Sequence, residues 1–199
     1  MHTRIVTFTH VRNMDDGIAF IRDKVVPVLN SQPGYRGLSV SADRAGDLLC
    51  ALTWWQTAED RAASDEVLAT NRREALSIMG GELDVENFEQ TLAEARQPAQ
   101  PGSALIVRRI SMDPEQINAN VAYFKTDVLP VMTAREGFRA VHHLIDRRTG
   151  RGVVGSMWDN VETMRAWEAF AQPLREQAGT NGVDFGELSH REIVLVDLP

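Results

Sequence analysis

Residues 17–59, GIAFIRDKVVPVLNSQPGYRGLSVSADRAGDLLCALTWWQTAE, return at 120–162 as NVAYFKTDVLPVMTAREGFRAVHHLIDRRTGRGVVGSMWDNVE, offset by 103 residues with no gap. Ala19, Val25, Pro27, Val28, Gly34, Arg36, Asp43, Arg44, Trp55 and Glu59 meet identical residues at Ala122, Val128, Pro130, Val131, Gly137, Arg139, Asp146, Arg147, Trp158 and Glu162. Tyr35 meets Phe138, and Leu29 meets Met132, so aromatic and apolar positions stay in phase. The chain is an internal duplication, and the fold is read from one copy at a time.

Each copy alternates between two periodicities. Arg4 to Val11 is rich in β-branched residues and reads as a strand. Ile18, Ile21, Val25, Val28 and Leu29 then recur at helical spacing, with Asp15 or Asp16 expected to cap the helix. Pro27 inside that pattern is expected to kink or shorten it, and Pro33-Gly34 to end it. Gly37–Ser41 and Leu48–Trp55 read as strands around a turn at Asp43–Asp47. Thr57 caps a helix over 58–79 that Gly80-Gly81 break, and Val85–Leu92 closes the copy as a strand. The second copy repeats the order from Leu105. Asp113-Pro114-Glu115-Gln116 starts one helix, Asn160 caps another, Gly179–Gly186 is expected as loop, and Arg191–Val196 is the last strand.

The order is β-α-β-β-α-β twice, an α+β class built of two ferredoxin-like units. The boundaries expected are 1–95 for the first unit, a Pro- and Gly-rich linker at 96–103, and 104–199 for the second. Each unit carries helices on one sheet face, and an apolar opposite face needs a cover. Two antiparallel sheets packed face to face supply it.

The pattern of a helix, Pro-Gly-aromatic, a strand, a turn, a strand ending in Trp and an acidic residue after it resembles the antibiotic-biosynthesis-monooxygenase (ABM) domains of the dimeric α+β barrel superfamily. It is carried by Pro33-Gly34-Tyr35 with Trp55 and Glu59, and by Gly137-Phe138 with Trp158 and Glu162, over about 90 residues in each half. Most such domains pair as homodimers, so the resemblance implies a fused, intramolecular dimeric α+β barrel. It implies either cofactor-free oxygenation of phenolic or quinol-like substrates or haem degradation, while other relatives only bind. The haem-degrading pattern needs an Asn on the first strand, a helical Trp, and a His nine residues on. Trp167 matches the Trp, but Glu176 stands at the His position, and the first copy has Ser64 and Arg73. Haem degradation is therefore not expected.

Cofactor-free oxygenation needs aromatic walls and a base for a phenolic proton. His142 and His143 lie on the second strand of the second copy and must point to opposite faces. Alignment with Ser39 and Val40 puts His143 with Val141 and Ile145. One of the pair is the candidate base; the competing reading leaves one exposed and the other hydrogen-bonded in the core. Arg108, a charge inside an apolar strand, either pairs with a carboxylate or anchors an anion. Trp158, Trp167 and Trp55 are candidate walls, although a tryptophan at a strand end is also natural core. Arg36 and Arg139, repeated after the aromatic, suggest ion pairs with Asp43 and Asp146.

No cofactor or metal is implied, because no His, Cys or carboxylate spacing forms a ligand set. The net charge of −7 argues against a nucleic-acid binder, which needs a basic face. Cys50, the lone cysteine, reads as a small buried hydrophobe. Neither a signal peptide nor an 18-residue apolar run is present, so a cytoplasmic protein without membrane partners is expected. The partner implied is a small aromatic molecule, and association of the fused chain into a further homodimer stays open. A non-catalytic binding or structural protein of the same fold is the rival to the oxygenase.

Overall fold

A computed structural model describes residues 1–198. Two compact units emerge: among the described residues, unit 1 is 1–87 with 192–198, and unit 2 is 88–191. The strands are β1 (His2–Thr9), β2 (Tyr35–Asp43), β3 (Leu48–Trp55), β4 (Glu82–Ala95), β5 (Ala104–Ser111), β6 (Phe138–Ile145), β7 (Arg151–Trp158) and β8 (Asp184–Asp197). Strand order is β4-β1-β3-β2-β8 in unit 1 and β8-β5-β7-β6-β4 in unit 2. The antiparallel central trio has the same register in each, with His2 opposite Trp55 and Ala104 opposite Trp158. β4 and β8 are 14 residues each, longer than their apolar cores suggested, and each is divided between the two units. The expected loop at 179–186 therefore gives way to strand from Asp184, where polar residues hid the ladder.

In unit 1 the first helical run is α1 (Met14–Phe20), a π-helical turn Ile21–Val25, and α2 (Val26–Asn30). Unit 2 repeats this as α4 (Ile117–Tyr123), a π turn Phe124–Val128, and α5 (Leu129–Thr133). Pro27 and Pro130 thus neither break nor truncate the helix. Each sits in the first turn after a π turn, whose wider bonding absorbs the N–H that proline lacks. Asp15 and Asp16 do not cap α1; they occupy its first turn, where their charge suits the helix dipole, and Asn13 precedes the helix. Thr57 does cap α3 (Ala58–Met79), its Oγ1 accepting from Asp60 N at 3.0 Å. Unit 2 divides the equivalent helix into α6 (Val161–Phe170) and α7 (Gln172–Thr180), with Pro173 in the first turn of α7.

The tryptophans that end β3 and β7 anchor the cores. Trp55 and Trp158 are fully buried, each edge-on to the aromatic of its Pro-Gly or Glu-Gly turn, Tyr35 or Phe138, at 5.7 Å. Each indole N–H donates to a hydroxyl two residues back, Thr53 at 3.0 Å and Ser156 at 3.1 Å. Cys50 is buried. Arg139 does not pair with Asp146. Its Nη1 meets Asp159 at 2.6 Å and its Nη2 donates to Pro98 O, while Arg36 turns to Gln56. Asp146 lies seven residues along the strand, far beyond a guanidinium's reach, and holds its own turn through Thr149.

Gly137 shows how the turn is locked to the next helix. Its φ is +73°, and a Cβ there would lie 2.6 Å from Thr163, the residue that closes the Asn160 capping box. Gly137→Ala is expected to cost ~1–3 kcal/mol, from the left-handed backbone and the displaced cap together. An unchanged urea midpoint would show that the turn relaxes freely. Among the described residues, no helix is long and apolar enough to cross a membrane.

Candidate functional site

The sheet face of unit 2 that carries Val141, His143 and Ile145 is covered by its helices, and a cavity of about 100 Å³ remains between them. Ile106, Ile110, Phe124, Val128, Val154 and Trp167 give it mainly apolar walls. Alternation along β6 explains the polar exception, since His143 lies between two fully buried aliphatics and is itself 1% exposed.

His143 is held on both nitrogens. Nδ1 lies 2.7 Å from Thr91 Oγ1 and Nε2 lies 3.1 Å from Asn120 Oδ1. The Thr91 hydroxyl also donates to the His143 carbonyl at 3.0 Å. While that donation holds, Oγ1 accepts from Nδ1–H and Nε2 carries the lone pair, which a ligand can address, or Asn120 once its amide is turned over so that N–H rather than Oδ1 meets the ring. Thr91 reaches the ring because β4 bulges between Gln90 and Leu92, so one residue leaves the ladder and turns its side chain toward the imidazole. Phe124 packs against the same ring at 5.1 Å.

At the rim, Arg108 Nη2 lies 3.9 Å from Glu168 Oε1, and its Nη1 donates to Gly186 O at 3.5 Å. The other Glu168 oxygen lies 2.8 Å from His190 Nε2, and Arg175 donates to the Glu168 carbonyl at 2.9 Å. Arg108 thus pairs with a carboxylate and also lines the cavity. Burial, followed by Arg175, lowers its pKa.

The structure sorts the remaining candidates. Trp167 is a wall, stacked on Trp158 at 5.5 Å with 21° between planes. Trp158 and Trp55 are not walls, because both indoles are spent filling the cores beneath their helices. His142 faces away from His143, with Nδ1 3.1 Å from Gln90 Oε1. Thr91, Asn120, Glu168 and Arg175 were not singled out in the sequence. The bulge at Thr91 leaves no sequence signature, although Asn120 and Arg175 do sit at helical positions that face the apolar stripe. Among the described residues, no three His, Cys, Asp or Glu side chains converge to hold a metal.

Burial pushes both imidazoles down to about 4 from 6.5. Between those pH values the unfolded chain binds protons that the folded protein refuses. The stability they contribute is full above pH 6.5 and is lost as pH falls toward 4, by up to about 3 kcal/mol for His143. The double variant His142→Gln, His143→Gln is expected to flatten the urea midpoint across this window. An equally steep midpoint in that variant would assign the acid sensitivity to other groups.

No protein-family model matches the chain. The uncharacterised protein Rv2557 of Mycobacterium tuberculosis H37Rv is 30% identical over 151 residues, 76% of this chain and 67% of that one. The uncharacterised protein MT2635 of M. tuberculosis CDC 1551 is 29% identical over 181 residues, 88% and 76% of the respective chains. Among solved structures, an anthrone oxidase-like protein superposes with a TM-score of 0.69 at 13% identity, covering 99% of this chain and 92% of that one. A Listeria monocytogenes ferredoxin-fold protein related to antibiotic biosynthesis monooxygenases gives 0.54 at 10% identity, covering 98% and 96%. The haem-degrading enzyme LmHde of L. monocytogenes gives 0.55 at 9%, covering 96% and 99%. At such identities the likeness shows the fold alone, two ferredoxin-like units of the α+β class.

Proposed function

This chain belongs to the family of the M. tuberculosis protein Rv2557, and within that family we propose that unit 2 is a cofactor-independent oxygenase site for a small single-ring phenol or quinol. The observation that carries this reading is the apolar cavity with a neutral imidazole, His143, on its inner sheet face. The cavity's volume of about 100 Å³ is below the roughly 150 Å³ of an apolar cavity that takes benzene, so a fused polycycle is disfavoured and a single ring enters with one end toward the rim.

In this reading the phenol stacks between Trp167 and the aliphatic walls, and its O–H displaces Asn120 at Nε2 of His143. Moving a proton from a phenol of pKa ~10 to an imidazole near 4 costs about 8 kcal/mol. Attraction between phenolate and imidazolium at ~3 Å offsets about 5 kcal/mol of that, and Arg108 and Arg175 at the rim favour the anion further. The electron-rich ring carbon then adds to dioxygen. Loss of water from the resulting hydroperoxide leaves a carbonyl, so the substrate supplies all four electrons, and one oxygen atom leaves as water.

The lookalike anthrone oxidase-like protein supports this chemistry by fold alone. A thermal-shift screen of the protein against phenols, quinols and haem tests the reading, followed by oxygen uptake with any stabilising compound. Dose-dependent stabilisation with uptake is expected for a single-ring phenol. Stabilisation without uptake would make the site a binding pocket, the reading favoured by the bonding of both His143 nitrogens to Thr91 and Asn120.

A further inference from the structure

Unit 1 has its own cavity at the corresponding place, about 50 Å³, with different polar equipment. Val40, fully buried, stands where unit 2 has His143, so the first cavity has no imidazole. It has guanidinium groups instead. Arg4 lies opposite Thr53 in the β1–β3 ladder, as Ile106 lies opposite Ser156 in unit 2. A charge replaces an aliphatic at an inward strand position. The exchange is compensated on the helix, where Ser64 occupies the repeat position of Trp167. The small residue leaves room for the Arg4 side chain and accepts from its Nη1 at 3.1 Å.

Arg4 is 3% exposed, and Arg72 joins it along the cavity wall. One carboxylate oxygen serves both: Asp65 Oδ1 lies 3.3 Å from Arg4 Nη2 and 2.6 Å from Arg72 Nη2. That carboxylate is itself 57% exposed, so it neutralises the pair weakly. Arg61 adds a third guanidinium near Arg4, with Asp65 and then Glu59 as its counter-charges. Arg4 spends its donors on Ser64, the Arg61 carbonyl, Asn87 and Asp65. Arg72 does not, for its Nη1 is buried without a hydrogen-bond partner. A buried charged donor left unused costs stability unless something fills the site.

We infer that the cavity of unit 1 binds a short aliphatic monocarboxylate, its carboxylate on Arg72 Nη1 in the field of Arg4 and its tail among the branched aliphatic walls. Val6, Ile21, Val25, Leu29 and Leu68 supply those walls, and the small volume suits a tail of one or two carbons. The duplicated protein would then hold two sites of different chemistry, one per unit, because divergence placed the charge on the strand in one copy and the base in the other.

Thermal shift and calorimetry with propanoate test this on the full chain. Propanoate should raise the melting temperature with dose, while propanamide, chloride and inorganic phosphate should not. Arg72→Gln should weaken propanoate at least about tenfold, the scale of one charge-assisted hydrogen bond. Val25→Phe, which narrows the cavity without touching its charges, should do the same and guards against misfolding of the first variant. An equal response to propanamide, or to chloride and phosphate, would remove the carboxylate specificity and overturn the inference. So would a response that survives Arg72→Gln and Val25→Phe but disappears in Arg175→Gln, because the anion would then sit in unit 2.

Discussion

Oxygen uptake with the best-stabilising phenol should fall about 10²–10⁴-fold in His143→Gln, the range attributable to a positioned general base. Glutamine suits the comparison because it can keep one hydrogen bond to Thr91 or Asn120 and roughly fills the volume, so the cavity survives without its base. Phenol binding should therefore change only a few-fold, and the effect should appear in kcat. Arg108→Gln should act differently, raising KM more than it lowers kcat, because the rim guanidinium attracts the anion without taking a proton. The pH profile separates the roles further: a base with a pKa near 4 keeps the wild-type rate level from neutrality down to about pH 5. Turnover that is unchanged in His143→Gln would return His143 to the core, as a buried imidazole satisfied by Thr91 and Asn120.

Much of this architecture can be read from the chain because the duplication states it twice. Pro27 with Pro130, Gly34 with Gly137 and Trp55 with Trp158 fix the same helix, turn and strand end in each copy, and strand alternation alone puts His143 beside Val141 and Ile145. What resists reading depends on contacts between distant segments. The side chain of Thr91 reaches His143 only because a bulge shifts the β4–β6 register. Glu168 and His190 meet across 22 residues, from a helix and a strand whose polar faces look solvent-exposed in sequence. Arg139 chooses Asp159 over the repeat-conserved Asp146 because the neighbouring strand end is near and its own strand end is far. The offset of the first strand is subtler still. Aligned without gaps, Arg4 meets Val107, but the ladders place it with Ile106, and only that register exposes the exchange of Arg4 and Ser64 for Ile106 and Trp167.

The same repeat logic makes Trp158 the most sensitive core position near the site. Trp158→Ala removes a fully buried indole that is edge-on to Phe138, stacked under Trp167 and bonded to Ser156. A loss of ~3–5 kcal/mol is expected from the transfer and cavity terms, with the orphaned Ser156 hydroxyl adding to it. Trp55→Ala should cost a similar amount in unit 1, since Trp55 has the corresponding Tyr35 and Thr53 contacts. The two variants should part in their ligand response. Trp55 has Ser64, not an aromatic, at the stacking position of the repeat, so its loss leaves phenol affinity nearly unchanged. Loss of Trp158 removes the support of the Trp167 wall and opens space behind it, so added indole should restore part of the stability by occupying the void. Preference should also shift from single-ring phenols toward fused ones. Equal phenol affinity in wild type and Trp158→Ala would mean that Trp167 holds its place without the stack, and that the aromatic wall is built by α6 alone.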